Sequence, residues 1–136
     1  MTLIDTSAWI EFLSRNGRAE VKHRVAAFLD MNEAAYCGPI EFELLSGARA
    51  NEMADIRDAF RFSERLDFPA DCWQRAAQIE RGLRMKGVTI PRDDLFVAAA
   101  ALHHNIPLYS CDPHFTIIRD KGNIPLQLVS PCPNLP

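Results

Sequence analysis

The chain has 136 residues, 48% hydrophobic and 24% charged, proportions that suit one folded domain and exclude a disordered or fibrous chain. Its 15 basic and 18 acidic residues give a formal charge of −3, so no overall basic footprint marks a polyanionic partner. The longest uncharged apolar run, Leu95 to Leu102, is far short of the about 20 residues a membrane-spanning helix needs.

In chain order, Thr2 to Ile4 read as a short buried strand that runs straight into a helix, with Asp5-Thr6-Ser7 at its start and Trp9 to Leu13 (WIEFL) as its amphipathic stretch. Asp5 interrupts the only N-terminal apolar stretch and no basic segment precedes it, so no secretory signal is expected and a cytoplasmic protein is. A second helix is predicted from Ala19 to Asn32, with Val21, Val25, Phe28 and Leu29 at helical spacing, and then a strand from Ala34 to Cys37. Gly38-Pro39 opens a third helix through Arg49, because proline suits a first helical turn where its missing N–H has no partner to lose. A helix from Glu52 to Glu64 and a strand from Leu66 to Phe68 follow. A long helix from Asp71 to Lys86 stops at Gly87, a residue that readily takes the left-handed ending conformation.

After Pro91, the alanine-rich run from Arg92 to Asn105 predicts a closely packed helix. Pro107 to Ser110 form a fourth strand, Asp112-Pro113 begin a short helix, and Leu126 to Val129 form a fifth strand before the tail PCPNLP. The β-α alternation predicts an α/β fold: a three-layer α/β/α sandwich with a mostly parallel five-stranded sheet over residues 1–130, and a loose tail over 131–136. Cys37, Cys72, Cys111 and Cys132 form no C-x-x-C pair and have no His at zinc-ligand spacing, so buried reduced thiols are expected. No G-x-G-x-x-G or Walker-type loop follows a strand, which sets a nucleotide-binding domain aside.

In a parallel sheet the ligand site lies beyond the carboxyl ends of the strands. Asp5 follows the first strand and Asp112 the fourth, so neighbouring strands would bring these carboxylates out side by side. Taken singly, each is better explained as a helix cap. At the start of the alanine-rich helix Asp93 is expected to cap, leaving Asp94 to project toward the same rim. Glu43 shares a helical face with Ile40, Leu44 and Gly47, so a carboxylate there lies within the packed stripe; Glu41, about 200° away around the helix, is explained by the helix dipole. Arg75, Arg81, Arg84, Lys86 and Arg92 face the single acid Glu80, and Arg84, Lys86 and Arg92 are candidate RNA contacts; a solvated helix face explains them equally well. Trp9, Phe12 and Leu13 fit either a partner surface or the core, and His114 is either a substrate contact or, as is more common for a lone His at a helix start, an ordinary surface residue.

The segments LIDTSAWIEFL, EFELLSG, PRDDLFVAAAAL and LYSCDPHF, in that order across nearly the whole chain, resemble the motifs of PIN-domain ribonucleases, closest to the VapC-like toxins of type II toxin–antitoxin systems. The resemblance implies metal-binding acids at Asp5 and Asp94, with Glu43 and Asp112 completing the cluster directly or through water, and supporting hydroxyls at Thr6, Ser7 and Ser110. Many relatives carry a second acid just after the late Asp, where this chain reads Pro113-His114-Phe115. Four converging acids repel one another unless a cation intervenes, and an all-oxygen set calls for Mg²⁺, with Mn²⁺ plausible. The implied activity is metal-dependent hydrolysis of RNA, the implied partners a VapB-like antitoxin and a second copy in a homodimer. The alternative is a catalytically weak PIN scaffold that binds RNA or a protein partner.

Overall fold

The computed structural model describes residues 1–129; the tail predicted at 131–136, with Cys132, lies outside the described residues. The elements, in chain order, are β1 (Thr2–Ile4), α1 (Thr6–Leu13), α2 (Ala19–Asp30), β2 (Ala34–Cys37), α3 (Gly38–Gly47), a single 3-10 turn (Ala50–Glu52), α4 (Met53–Arg61), β3 (Glu64–Leu66), α5 (Ala70–Met85), α6 (Arg92–His104), β4 (Leu108–Tyr109) and α7 (His114–Gly122). The sheet order is β3-β2-β1-β4, and every pairing is parallel. β1 therefore sits between β2 and β4, and the chain reverses direction across the sheet at the β1/β4 boundary.

Leu3 and Ile4 point to opposite faces of β1, and neither has any exposed surface, so helices cover both faces as a three-layer sandwich requires. In α6 the run Val97 to Ala101 is buried along its length. Its small side chains let the helix backbone approach its neighbours closely, and α6 packs chiefly on α5, which contributes Cys72, Ala76, Ile79 and Leu83. Three helical segments end at an asparagine with positive φ, Asn32 at 56°, Asn105 at 52° and Asn123 at 52°. Asn tolerates this conformation better than other non-glycine residues. Gly87, with φ 76°, ends α5 as predicted.

The sheet has four strands rather than five. The segment predicted as the last strand makes only one parallel bridge, Leu128 to Leu108, with Leu108 N donating to Gln127 O at 2.8 Å and Val129 N to Leu108 O at 2.9 Å. Pro125 brings no donor, and Leu126 N turns back to Ile124 O at 2.8 Å, so little of the segment is free to pair. β3 lies two residues earlier than predicted. β3 is a sheet edge on which Glu64 and Arg65 are exposed and only Leu66 is buried, so it lacks the apolar pattern that marks a strand.

Trp9 belongs to the core: it is fully buried and meets the rings of Phe12 and Phe60 edge-on, with centroids at 6.2 and 5.9 Å. Phe60 in turn stacks on Tyr36 at 3.9 Å. Phe12 and Leu13 are partly buried against the same core. Cys37, Cys72 and Cys111 are free and buried. Burial pushes the Cys37 thiol up to about 12 and that of Cys111 to about 11, which leaves them unreactive.

Candidate metal centre at the strand ends

Register places the first acids. Ile4 pairs with Tyr109 and Asp5 N donates to Tyr109 O at 3.0 Å, so Asp5 and Ser110 leave the sheet side by side. The carboxylate of Asp5 accepts on a single oxygen, Oδ2, from Ser7 Oγ at 2.8 Å, Ser110 Oγ at 2.9 Å and Ser7 N at 3.4 Å. It thereby caps α1 while standing beside Ser110 where the strands end. The serine hydroxyls are held from behind: Ser7 Oγ accepts from Cys111 N at 3.0 Å and Ser110 Oγ from Asp112 N at 2.9 Å. The other oxygen, Asp5 Oδ1, is buried and has no hydrogen-bond partner.

Glu43 reaches this corner from α3 and accepts from Thr6 Oγ1 at 2.9 Å. Asp94, in the first turn of α6 and 8% exposed, has its Oδ2 at 2.6 Å from His114 Nδ1. The same ring nitrogen lies 2.8 Å from Asp112 Oδ1, which also accepts from His114 N at 2.9 Å. Asp94, Asp112 and His114 thus each offer a ligand atom within 4.8 Å of the other two. Asp5 and Glu43 adjoin this triplet without belonging to it.

Two expectations need correction. Asp93 does not cap α6: the cap position is Pro91, without a side-chain hydrogen bond. Asp93 stands one residue inside the helix, too late to cover its start, and its charge instead acts on Glu43. His114 is no ordinary surface residue, since its ring joins two of the acids. The signal for it was its place two residues after Asp112, at a helix start that folds the ring back toward the preceding carboxylate.

Asp5, Asp94 and Glu43 share an electrostatic signature. Burial raises Asp5 above the usual carboxylate range, opposed in part by the Ser7 and Ser110 hydroxyls. Asp94 is pushed up to about 7, first by burial and then by the charge of Asp5, against the hydrogen bond from His114. Glu43 is raised by burial, opposed by Thr6 and reinforced by the charges of Asp93 and Asp5. Burial is the first cause at each of these groups, and the charge of a neighbouring carboxylate adds to it at Asp94 and Glu43.

A pH dependence follows. With its native pKa above the unfolded value, Asp94 ionises in the unfolded chain first, so between about pH 4 and 7 the native state binds more protons and loses stability as pH rises. In chelator, the melting temperature of wild type relative to Asp94→Asn is expected to fall from about pH 5 to about pH 7. A difference that is flat or rises over that range would contradict the assigned environment.

Arg84 and Arg92 share the carboxylate of Glu80 at 3.0 and 3.1 Å, and Lys86 Nζ donates to Lys121 O at 2.6 Å, at the end of α7. All three are exposed. Among the described residues no helix is long and apolar enough to cross a membrane.

Comparison with known proteins agrees with this architecture. The PIN-domain family matches residues 2–121. Ribonuclease VapC11 of Mycobacterium tuberculosis is 32% identical over 133 residues, covering 91% of this chain and 96% of the relative. Ribonuclease VapC21 of the same species is 32% identical over 115 residues, covering 80% and 82%. In fold, the chain resembles FitAcB from Neisseria gonorrhoeae, with a TM-score of 0.76 at 18% identity and 96% and 98% coverage. It also resembles VapBC2 from Rickettsia felis bound to a DNA fragment from their promoter, with a TM-score of 0.74 at 19% identity and 94% and 96% coverage. An Asp at the end of the first strand, a second in the first turn of an alanine-rich helix and a third after the last paired strand accompany a match over most of the sequence: the chain belongs to the PIN-domain family.

Proposed function

We propose that this chain is a metal-dependent endoribonuclease that hydrolyses RNA phosphodiester bonds and serves as the toxin of a VapBC-like toxin–antitoxin pair. The observation that carries the reading is the unpartnered buried oxygen of Asp5 beside Asp94 and Glu43, both held above the usual carboxylate range. A buried carboxylate oxygen without a donor is costly, and a hard divalent cation relieves that cost and the mutual repulsion together.

Asp5 and Asp94 are assigned as direct ligands of Mg²⁺ or Mn²⁺, Asp112 as a second-site or outer ligand, and Glu43 as the group that orients the attacking water. Such an ion acidifies water and neutralises charge on the phosphate. Ser7 and Ser110 fix Asp5 by occupying Oδ2 alone, which keeps Oδ1 available. Thr6 holds Glu43 in one rotamer. Arg84, Lys86 and Arg92 are proposed RNA contacts: the arginines' exposed pairs with Glu80 contribute little to stability and exchange readily for phosphate.

A VapB-like antitoxin is the proposed partner, in line with solved relatives named as VapBC complexes, and an antitoxin arginine fork would suit the carboxylates. A homodimer and a cytoplasmic site of action belong to the same reading.

The test is incubation of purified protein with structured and single-stranded RNAs in Mg²⁺, Mn²⁺ or EDTA. Cleavage with metal and none with chelator is expected; RNA bound but uncut in every condition would leave only a binding scaffold. Within that assay Thr6→Val, which keeps the side-chain shape and removes the hydroxyl, is expected to slow cleavage about tenfold or more, the usual effect of losing a group that orients a metal-site carboxylate. An unchanged rate would remove Thr6 from the site.

A further inference from the structure

We propose that His114 is a nitrogen ligand of the divalent ion in this site and shifts its preference from Mg²⁺ toward Mn²⁺, an inference that rests on the metal-centre reading above. A histidine that only oriented one carboxylate would need a single contact. Here Nδ1 meets oxygens from two separate elements, Asp94 Oδ2 at 2.6 Å on α6 and Asp112 Oδ1 at 2.8 Å in the loop after β4. The three atoms form a compact donor face, mutually within 4.8 Å.

The ring is also held in place. His114 is the first residue of α7, its own N–H is tied to Asp112 Oδ1 at 2.9 Å, and the next residue, Phe115, is 1% exposed and anchors the helix in the core. The second observation pointing to a cation is Asp5 Oδ1, buried without a partner on a carboxylate whose charge acts directly on Asp94. In the tautomer that carries its proton on Nε2, the Nδ1 lone pair completes a set of carboxylate oxygens and one imidazole nitrogen. Mg²⁺ strongly prefers oxygen, whereas first-row transition ions accept imidazole, and Mn²⁺ is the one whose hardness suits the accompanying carboxylates.

Pulsed electron paramagnetic resonance on the full chain loaded with Mn²⁺ reads the ligand without any RNA. Wild type is expected to show nitrogen hyperfine modulation, and His114→Asp, which exchanges nitrogen for oxygen, to bind Mn²⁺ without it. Labelling wild type with heavy-nitrogen histidine should change the modulation to that of the heavier isotope with no change to the chain. In competition titrations the ratio of Mn²⁺ to Mg²⁺ affinity should drop about tenfold in His114→Asp. Bound Mn²⁺ without nitrogen modulation in wild type, or modulation that survives in His114→Asp, overturns the proposal, as does failure of wild type to bind Mn²⁺. Nitrogen-coupled Mn²⁺ in a protein that leaves RNA uncut supports the ligand and sinks the nuclease reading instead.

Discussion

Asp94→Asn and Asp5→Asn are each expected to slow RNA cleavage by on the order of a thousandfold while leaving the fold intact. A cation in such a site supplies several kcal/mol of charge stabilisation, and each 1.36 kcal/mol is about a factor of ten in rate. Asparagine retains a carbonyl oxygen that can still accept from Ser7 and Ser110, which now bond Asp5 Oδ2, but it cannot supply the charge. Stability separates this loss from unfolding. Burial already disfavours the charged form of Asp94, so in chelator near neutral pH the Asp94→Asn protein should melt no lower than wild type, and it should lose the rise in melting temperature that added Mn²⁺ gives wild type. Equal cleavage by all three proteins would defeat the mechanism.

Trp9→Ala should cost about 3–5 kcal/mol, the usual effect of emptying a buried aromatic site, out of a total stability of about 5–15 kcal/mol for a domain of this kind. Trp9 has no exposed surface and links Phe12 and Phe60, so no neighbour is free to fill the cavity. Its indole Nε1 is buried without a partner, an uncompensated cost in the native protein. Trp9→Phe keeps much of the ring packing and removes that donor, so it should cost far less than the alanine variant. Denaturant midpoints for the two variants measure this. A loss below about 1 kcal/mol in Trp9→Ala would mean that the ring is not part of a close-packed interior. The same helix turn holds the site, since Trp9 N donates to Asp5 O at 3.1 Å; the alanine variant should therefore lose metal affinity along with stability.

What the sequence made legible was what local pattern controls. The alanine run from Val97 to Ala101 signalled a closely packed helix, and Gly87 signalled the end of one. Placing Asp5 beside the Ser110–Asp112 segment required one tertiary assumption, that the first and fourth strands pair, and parallel pairing of β1 with β4 satisfies it. The misses came where neighbours rather than pattern decide. β3 is recognised by its pairing with Ala35 to Cys37, not by its exposed Glu64 and Arg65. The last strand fails because Leu126 bonds locally, which periodicity cannot register. The sequence sets Asp94 apart from Asp93, but the capping role expected of Asp93 fails because only the exact start of α6, at Pro91, decides which residue can cap. The place of His114 two residues after Asp112 hinted at one partner, but its second, Asp94, comes from another helix and no local spacing announces it.

The hydrogen bond from Ser110 to Asp5 joins residues 105 positions apart in the chain, and β1, which leads into Asp5, gains its β4 neighbour only from Leu108 and Tyr109. During synthesis, which proceeds from the N-terminus, a growing chain that has not yet released that stretch cannot assemble the acids. The corner that gathers Asp5, Asp94, Asp112 and His114 therefore closes only after the stretch from Leu108 to His114 has emerged, however early Asp5 itself was made.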